Sequence, residues 1–178
     1  MPIKLDELDA KLIEAAEYQF GAGDGALKWI ESQVVASVGD GQRSAVEAAL
    51  LRTLDRKPTR DAVEFVCRQL RIIGTPAAVP VLAKLLPEKE SSHPARIALG
   101  SIGGETALDA LTTALDDVDT TIATGIVVTL GDHAYQPARG AIAAQLKRKP
   151  SGEFHRLVEA CVRALGILGD TATLEKLE

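Results

Sequence analysis

Apolar side chains recur along this chain at steps of three and four residues, the spacing that lines one face of an α-helix. In five places such a stretch runs into a glycine: "VVASVGDG" at Gly39, "LRIIGTPA" at Gly74, "LGSIGGET" at Gly103, "VVTLGDHA" at Gly131 and "LGILGDTA" at Gly169. Four residues before each glycine stands Val35, Leu70, Leu99, Val127 or Leu165, and one residue before stands Val38, Ile73, Ile102, Leu130 or Leu168. A second apolar helix follows each glycine. Val79, Leu82 and Leu86 match Leu108, Leu111 and Leu115 in offset. After Gly39 and Gly131 the turn reads as longer, and Val46, Leu50 and Leu54 match Ala138, Ile142 and Leu146. The pattern predicts repeats in two length classes.

A helix that must stop and reverse commonly ends on a left-handed residue, where glycine has no Cβ to clash. Asp40, Asp132 and Asp170 then stand as N-caps for the second helices, as does Thr75 before Pro76. The longer links, "DRKPTR", "PEKESSHP", "DDVDTT" and "KRKPSGE", are polar and mostly contain proline. Each unit is therefore first helix, glycine turn, second helix, polar link. One such hairpin cannot bury its apolar faces alone, whereas stacked hairpins share a continuous seam. The expected fold is all-α: an α-solenoid of about five helix pairs over residues 23–178, preceded by a capping helix within residues 1–22. Tyr18, Phe20 and Trp29 read as packing for that cap. Pro80, Pro137 and Gly140 should bend or interrupt their second helices.

The "ALGxIG" helix ends and the period near 30 resemble HEAT repeats, especially the short PBS-lyase HEAT-like type, over about residues 24–178. "FVCRQLRIIGTPAAVPVLAKLL" followed by "SSHPARIAL" is similar to a set of bacterial multi-repeat HEAT proteins. The resemblance implies a right-handed superhelix whose second helices line a concave, armadillo-like surface. It also implies a binding scaffold, because most such repeats bind partners. A minority of the family are bilin lyases or their partners, and related repeats occur in DNA glycosylases.

Apolar residues make up 46% of the chain but aromatics only 3%, so Ala, Leu, Val and Ile must build the core, through closely spaced helices. The net charge of −5 gives no basic stripe for phosphate binding. The first twenty residues alternate charged and apolar positions, unlike an ordinary signal peptide. No run approaches the roughly 20 apolar residues of a membrane span. A cytoplasmic location is the expectation, with no membrane and no nucleic acid among the partners.

Residues capable of chemistry do not converge in the sequence. His93 and His155 begin first helices and His133 sits in a turn, without metal-ligand spacing. Cys67 and Cys161 lie in apolar helical patterns and read as buried hydrophobes. Asp116, Asp117 and Asp119 lack the glycine and spaced oxygens of a calcium loop, and Asp119 is placed to cap a helix. Lys147, Arg148, Lys149 and the group Arg52, Arg56, Lys57 and Arg60 stand near helix C-termini, where a cation meets the helix dipole favourably. No catalytic residue, cofactor or metal site is assigned.

The second helices carry the candidate site. Ala49, Val81, Ala110 and Ala141 fall at one repeat position, with Arg52, Lys84, Thr113 and Ala144 one turn on and Asp109 and Arg139 beside them. A small, mildly apolar floor with sparse charges suits a partner helix or an extended peptide. At the other end, Leu168, Leu174 and Leu177 would present an apolar edge, which favours continuation into a longer array over a partner, a second copy or a simply short helix. The expected function is a non-enzymatic protein-interaction scaffold. The alternatives are an enzyme subunit of the bilin-lyase type and a nucleic-acid-binding repeat protein.

Overall fold

A computed structural model describes residues 3–149 and 153–175. Every regular element among them is helical: α1 Leu5–Ala16, α2 Gly25–Asp40, α3 Arg43–Leu54, α4 Arg60–Ile73, α5 Val79–Lys84, α6 Ser92–Ile102, α7 Gly104–Ala114, α8 Thr120–Asp132, α9 Arg139–Gln145, α10 Phe154–Ile167 and α11 Thr171–Leu174. Helices α2 to α11 form five consecutive first-helix/second-helix pairs, with α1 ahead of them. The chain divides into two compact units, Met1–Val81 and Leu82–Glu178.

In the first unit α1 packs against α2, α3 and α4, and α2 packs against α3 and α4. Leu8, Leu12, Ile30, Val34, Leu50, Phe65 and Leu70 fill this core. The α1 end is tied to α4, since Thr59 N donates to Ala16 O at 2.9 Å and the Thr59 hydroxyl donates to Tyr18 O. Tyr18 and Trp29 are half-buried, but Phe20 is 90% exposed and packs no cap. In the second unit the first helices stack in a row, α6 on α8 and α8 on α10, while α7 and α9 lie beside them.

The register of the repeats differs from the glycine-anchored reading. Gly39 lies inside α2, and Gly41 (φ 79°) ends that helix. Gly131 lies inside α8, and Ala134 (φ 47°) takes the left-handed turn. There Ala134 N donates to Gly131 O at 2.8 Å and Tyr135 N to Leu130 O at 3.1 Å. That is the bond pair of a Schellman motif. Gly169 (φ 69°) ends α10 in the same way, with Gly169 N donating to Gly166 O and Asp170 N to Leu165 O. Gly103 turns at φ 63° and ψ −162°, a region open essentially to glycine alone. Gly74 ends α4 with ordinary extended backbone, φ −59°.

Counted from the true turn residues Gly41, Gly74, Gly103, Ala134 and Gly169, one register replaces the two length classes. Four residues before each stand Ser37, Leu70, Leu99, Leu130 and Leu165, all fully buried. Eight residues after stand Ala49, Leu82, Leu111 and Ile142, all in the core. Val35 and Val38, expected on the packed face, are 64% and 60% exposed.

The caps follow the corrected turns. Asp119, Thr75 and Asp170 accept backbone N–H groups at the starts of their helical segments. Asp40 and Asp132 instead end α2 and α8 and start no helix. The prolines split two second helices into a short 3-10 turn, Pro76–Ala78 or Gln136–Ala138, followed by a short α-helix. Pro80 thus sits at the second residue of α5, where its missing N–H costs nothing.

Candidate functional site

Two recurrent contacts lock neighbouring repeats together near the second helices. The first joins a carboxylate six residues past one turn to a hydroxyl one residue past the next. Glu47, buried in α3, accepts from Thr75 Oγ1 at 2.9 Å and from Thr75 N at 2.6 Å. Asp109, exposed on α7, accepts from the Tyr135 hydroxyl at 2.6 Å. That bond, the negative charge behind it and residual desolvation push the Tyr135 hydroxyl up to about 12.

In the second contact a side chain two residues past a turn caps the next first helix. Arg43 donates to Ile73 O at 2.8 Å and Gly74 O at 3.0 Å. Gln136 donates to Leu168 O at 3.4 Å. Carbonyls at a helix C-terminus lack intrahelical donors, so these side chains satisfy groups that would otherwise need water. Arg148 serves the end of α7, donating to Val118 O at 2.8 Å and to Leu115 O.

These contacts redraw the predicted surface. Ala49 is 1% exposed and belongs to the core, because the turn is Gly41 and not Gly39. The repeat-equivalent surface position is Ala48, which is exposed. Arg52 is exposed but holds Asp9 of α1 at 2.8 Å. Val81, Ala110 and Ala141 are half-buried, while Lys84, Asp109, Thr113, Arg139 and Ala144 are exposed. Within the second unit, α7 therefore offers Asp109, Ala110 and Thr113, and α9 offers Arg139 and Ala141. The large exposed apolar side chains lie elsewhere. Leu5, Ile13, Phe20, Val35, Val38, Ile72, Val128, Val162 and Ile167 fall on α1, its following link and the first helices α2, α4, α8 and α10. Spacing alone could not reveal this, because helix periodicity does not say which apolar residue at a stripe's margin is covered.

The cysteines, histidines and Arg96 are the other side chains with chemical potential. Both cysteines are free and buried, and desolvation pushes each thiol up to about 12, far from the thiolate that a nucleophile needs. Arg96, on α6, is half-buried and donates to Thr129 Oγ1 at 2.7 Å on α8, with His93 Nδ1 at 3.0 Å from its other terminal nitrogen. Burial lowers its pKa, opposed by Asp132. His133 lies near Gly100 and Gly103, and His155 is exposed on α10. Among the described residues no three His, Cys, Asp or Glu side chains converge to hold a metal, and no helix is long and apolar enough to cross a membrane.

The predicted C-terminal edge also changes. Leu168 is 4% exposed, Leu174 is half-buried, and Leu177 lies outside the described residues.

Among known proteins, residues 95–117 match the family model of the PBS lyase HEAT-like repeat. This stretch runs from α6 through the Gly103 turn and α7 into the link that follows. No curated protein and no solved structure matches the chain. The chain therefore contains a PBS lyase HEAT-like repeat within an all-helical array of helix pairs that share one register, which supports a HEAT-repeat protein.

Proposed function

We propose that the chain is a non-catalytic protein-interaction scaffold. Its partner, a helix or an extended peptide, lies along the second-helix face of the second unit. The observation that carries this reading is the accessible row on α7 and α9. Ala110 on α7 and Ala141 on α9 hold the same repeat position and are half-buried, and Asp109, Thr113 and Arg139 on the same two helices are exposed. Small side chains let a partner backbone approach closely, and the flanking polar groups can fix its register and direction. The Tyr135–Asp109 bond holds one wall of the row. Burial of both thiols, which makes them poor nucleophiles, supports a binding role over thiol catalysis. The net charge of −5 and the engagement of Arg43, Arg52 and Arg148 by carbonyls and carboxylate support a protein partner over nucleic acid.

The test is a peptide selected from a displayed library on the full chain, measured again on Ala110→Glu and Ala141→Glu. Each variant should weaken binding at least tenfold, since a buried unpaired carboxylate at a contact costs well over 1.4 kcal/mol, while the melting temperature stays close to wild type. Undiminished binding to both variants would refute the assignment of the face.

A further inference from the structure

Charge is sorted along the second helices of the second unit. In α7 and the link behind it, residues 104–119, every charged side chain is acidic: Glu105, Asp109, Asp116, Asp117 and Asp119. In α9 with the turn before it and the link behind it, residues 134–149, every one is basic: Arg139, Lys147, Arg148 and Lys149. The earlier second helices show no such sorting. Helix α3 carries both Arg43 and Glu47, and the link after α5 carries both Lys89 and Glu90.

The two segments lie side by side. Tyr135 reaches Asp109 at one end, and Arg148 reaches Val118 O and Leu115 O at the other. Unlike charges on neighbouring helices commonly pair with one another, yet among the described residues no ion pair joins these two segments. Arg148 donates to carbonyls, Asp119 caps α8 through Ile122 N, and Asp109 accepts from an uncharged hydroxyl. Glu105, Asp109, Arg139 and Lys147 are all exposed. The face thus keeps an acidic strip on α7 and a basic strip on α9, with half-buried Ala110 and Ala141 at their shared repeat position.

Such a face complements a segment of mixed charge. A uniformly basic partner is attracted by α7 and repelled by α9, and a uniformly acidic partner the reverse. Neighbouring helices stand about 8–10 Å apart, and two turns of a helix advance about 10.8 Å. A partner helix running along the Ala110–Ala141 row therefore sets its residues i and i+7, which share one of its faces, over α7 and α9 in turn. We propose that this site takes a helix with Lys or Arg over Asp109 and Glu105 and, seven residues away, Asp or Glu over Arg139. Small or apolar residues between them cover the two alanines. Either chain direction satisfies the match, so the requirement is one cation and one anion seven residues apart. This assignment rests on the second-helix reading above and adds the partner's charge pattern to it.

A library displayed on one helical frame, open to every residue at i and i+7, tests the pattern by selection on the full chain. The selected peptides should carry one cation and one anion, in either order. Versions with two cations or two anions should bind at least fivefold more weakly at low salt, where exposed charges are least screened. Selection on Arg139→Glu should turn to two cations. Arg139 is exposed, so circular dichroism should show that variant folded. Selected peptides without a charge preference overturn the proposal, as does the same unlike pair selected by Arg139→Glu. Ala110→Glu and Ala141→Glu keep the two readings apart. Peptides that ignore both substitutions refute the face and this proposal with it. Peptides that lose affinity on both, yet bind equally well with like charges, refute the charge pattern alone.

Discussion

Replacing Gly131 by alanine separates a turn glycine from a packing glycine. In an ordinary helix, glycine to alanine stabilises by about 0.5–1 kcal/mol, with the lower value fitting the last turn of α8. At this site the new Cβ would lie 2.9 Å from Ala164 Cβ and 3.2 Å from Ala164 Cα. Real Cβ atoms essentially never approach another carbon that closely, and neither contacted atom belongs to a flexible side chain that could swing away. Relief requires α8 and α10 to separate, and overpacking of a close interface costs about 1–3 kcal/mol. The repulsion wins, and Gly131→Ala should destabilise by about 1–2 kcal/mol net. Gly166→Ala, at the equivalent position with nothing within 4 Å, should instead stabilise by about 0.5 kcal/mol. Urea denaturation followed by far-UV circular dichroism gives both values. A double-mutant cycle with Ala164→Gly sharpens the assignment, because Gly131→Ala should cost about 1 kcal/mol less once the Ala164 methyl is gone. A stabilised Gly131→Ala, or no coupling to Ala164, would refute the close-packing argument.

Three further outcomes concern the turns and the Tyr135–Asp109 hydrogen bond. Ala134→Gly should stabilise by about 1 kcal/mol, since Ala134 holds φ 47° against its own Cβ, and thermal melting reads the gain. Gly103→Val should destabilise by about 1–3 kcal/mol or more, because φ 63° with ψ −162° excludes a β-branched side chain; an unchanged melting temperature would contradict the turn. The Tyr135 hydroxyl, raised above its unfolded value of 10, contributes stability that is complete below about pH 10 and is lost as pH rises through about 12. In spectrophotometric titration one tyrosine should therefore ionise near pH 12, and Asp109→Ala should bring that midpoint down toward 10.

The repeat architecture was legible because helix periodicity and polar, proline-bearing links are local properties. The five helix ends fell within a few residues of their places, and Thr75, Asp119 and Asp170 were readable as caps from side-chain chemistry. The register was less legible. In "VVASVGDG" two glycines stand two residues apart, and the nearly unbroken apolar run before them suits either. Only the burial of Val34 and Ser37, with Val35 and Val38 outside, selects Gly41. At the fourth turn the glycine lies in the helix because α10 presses upon it, while an alanine makes the left-handed turn. Neither fact leaves a local signature. The displaced register carried Ala49 onto a surface it does not occupy, yet left Ala110, Thr113 and Ala141 accessible. The Tyr135–Asp109 and Arg43–Gly74 contacts join residues 26 and 31 positions apart, and become visible only once the turns are aligned.

The second-helix face is tested most directly by methyl NMR of the full chain, labelled at alanine and titrated with a peptide selected on it. Ala110 and Ala141 report on α7 and α9, and Ala160 and Ala164 report on the opposing first-helix seam. The account predicts that the Ala110 and Ala141 methyl signals shift and saturate together while those of Ala160 and Ala164 stay in place. Saturable shifts confined to Ala160 and Ala164, with Ala110 and Ala141 unmoved, would contradict it.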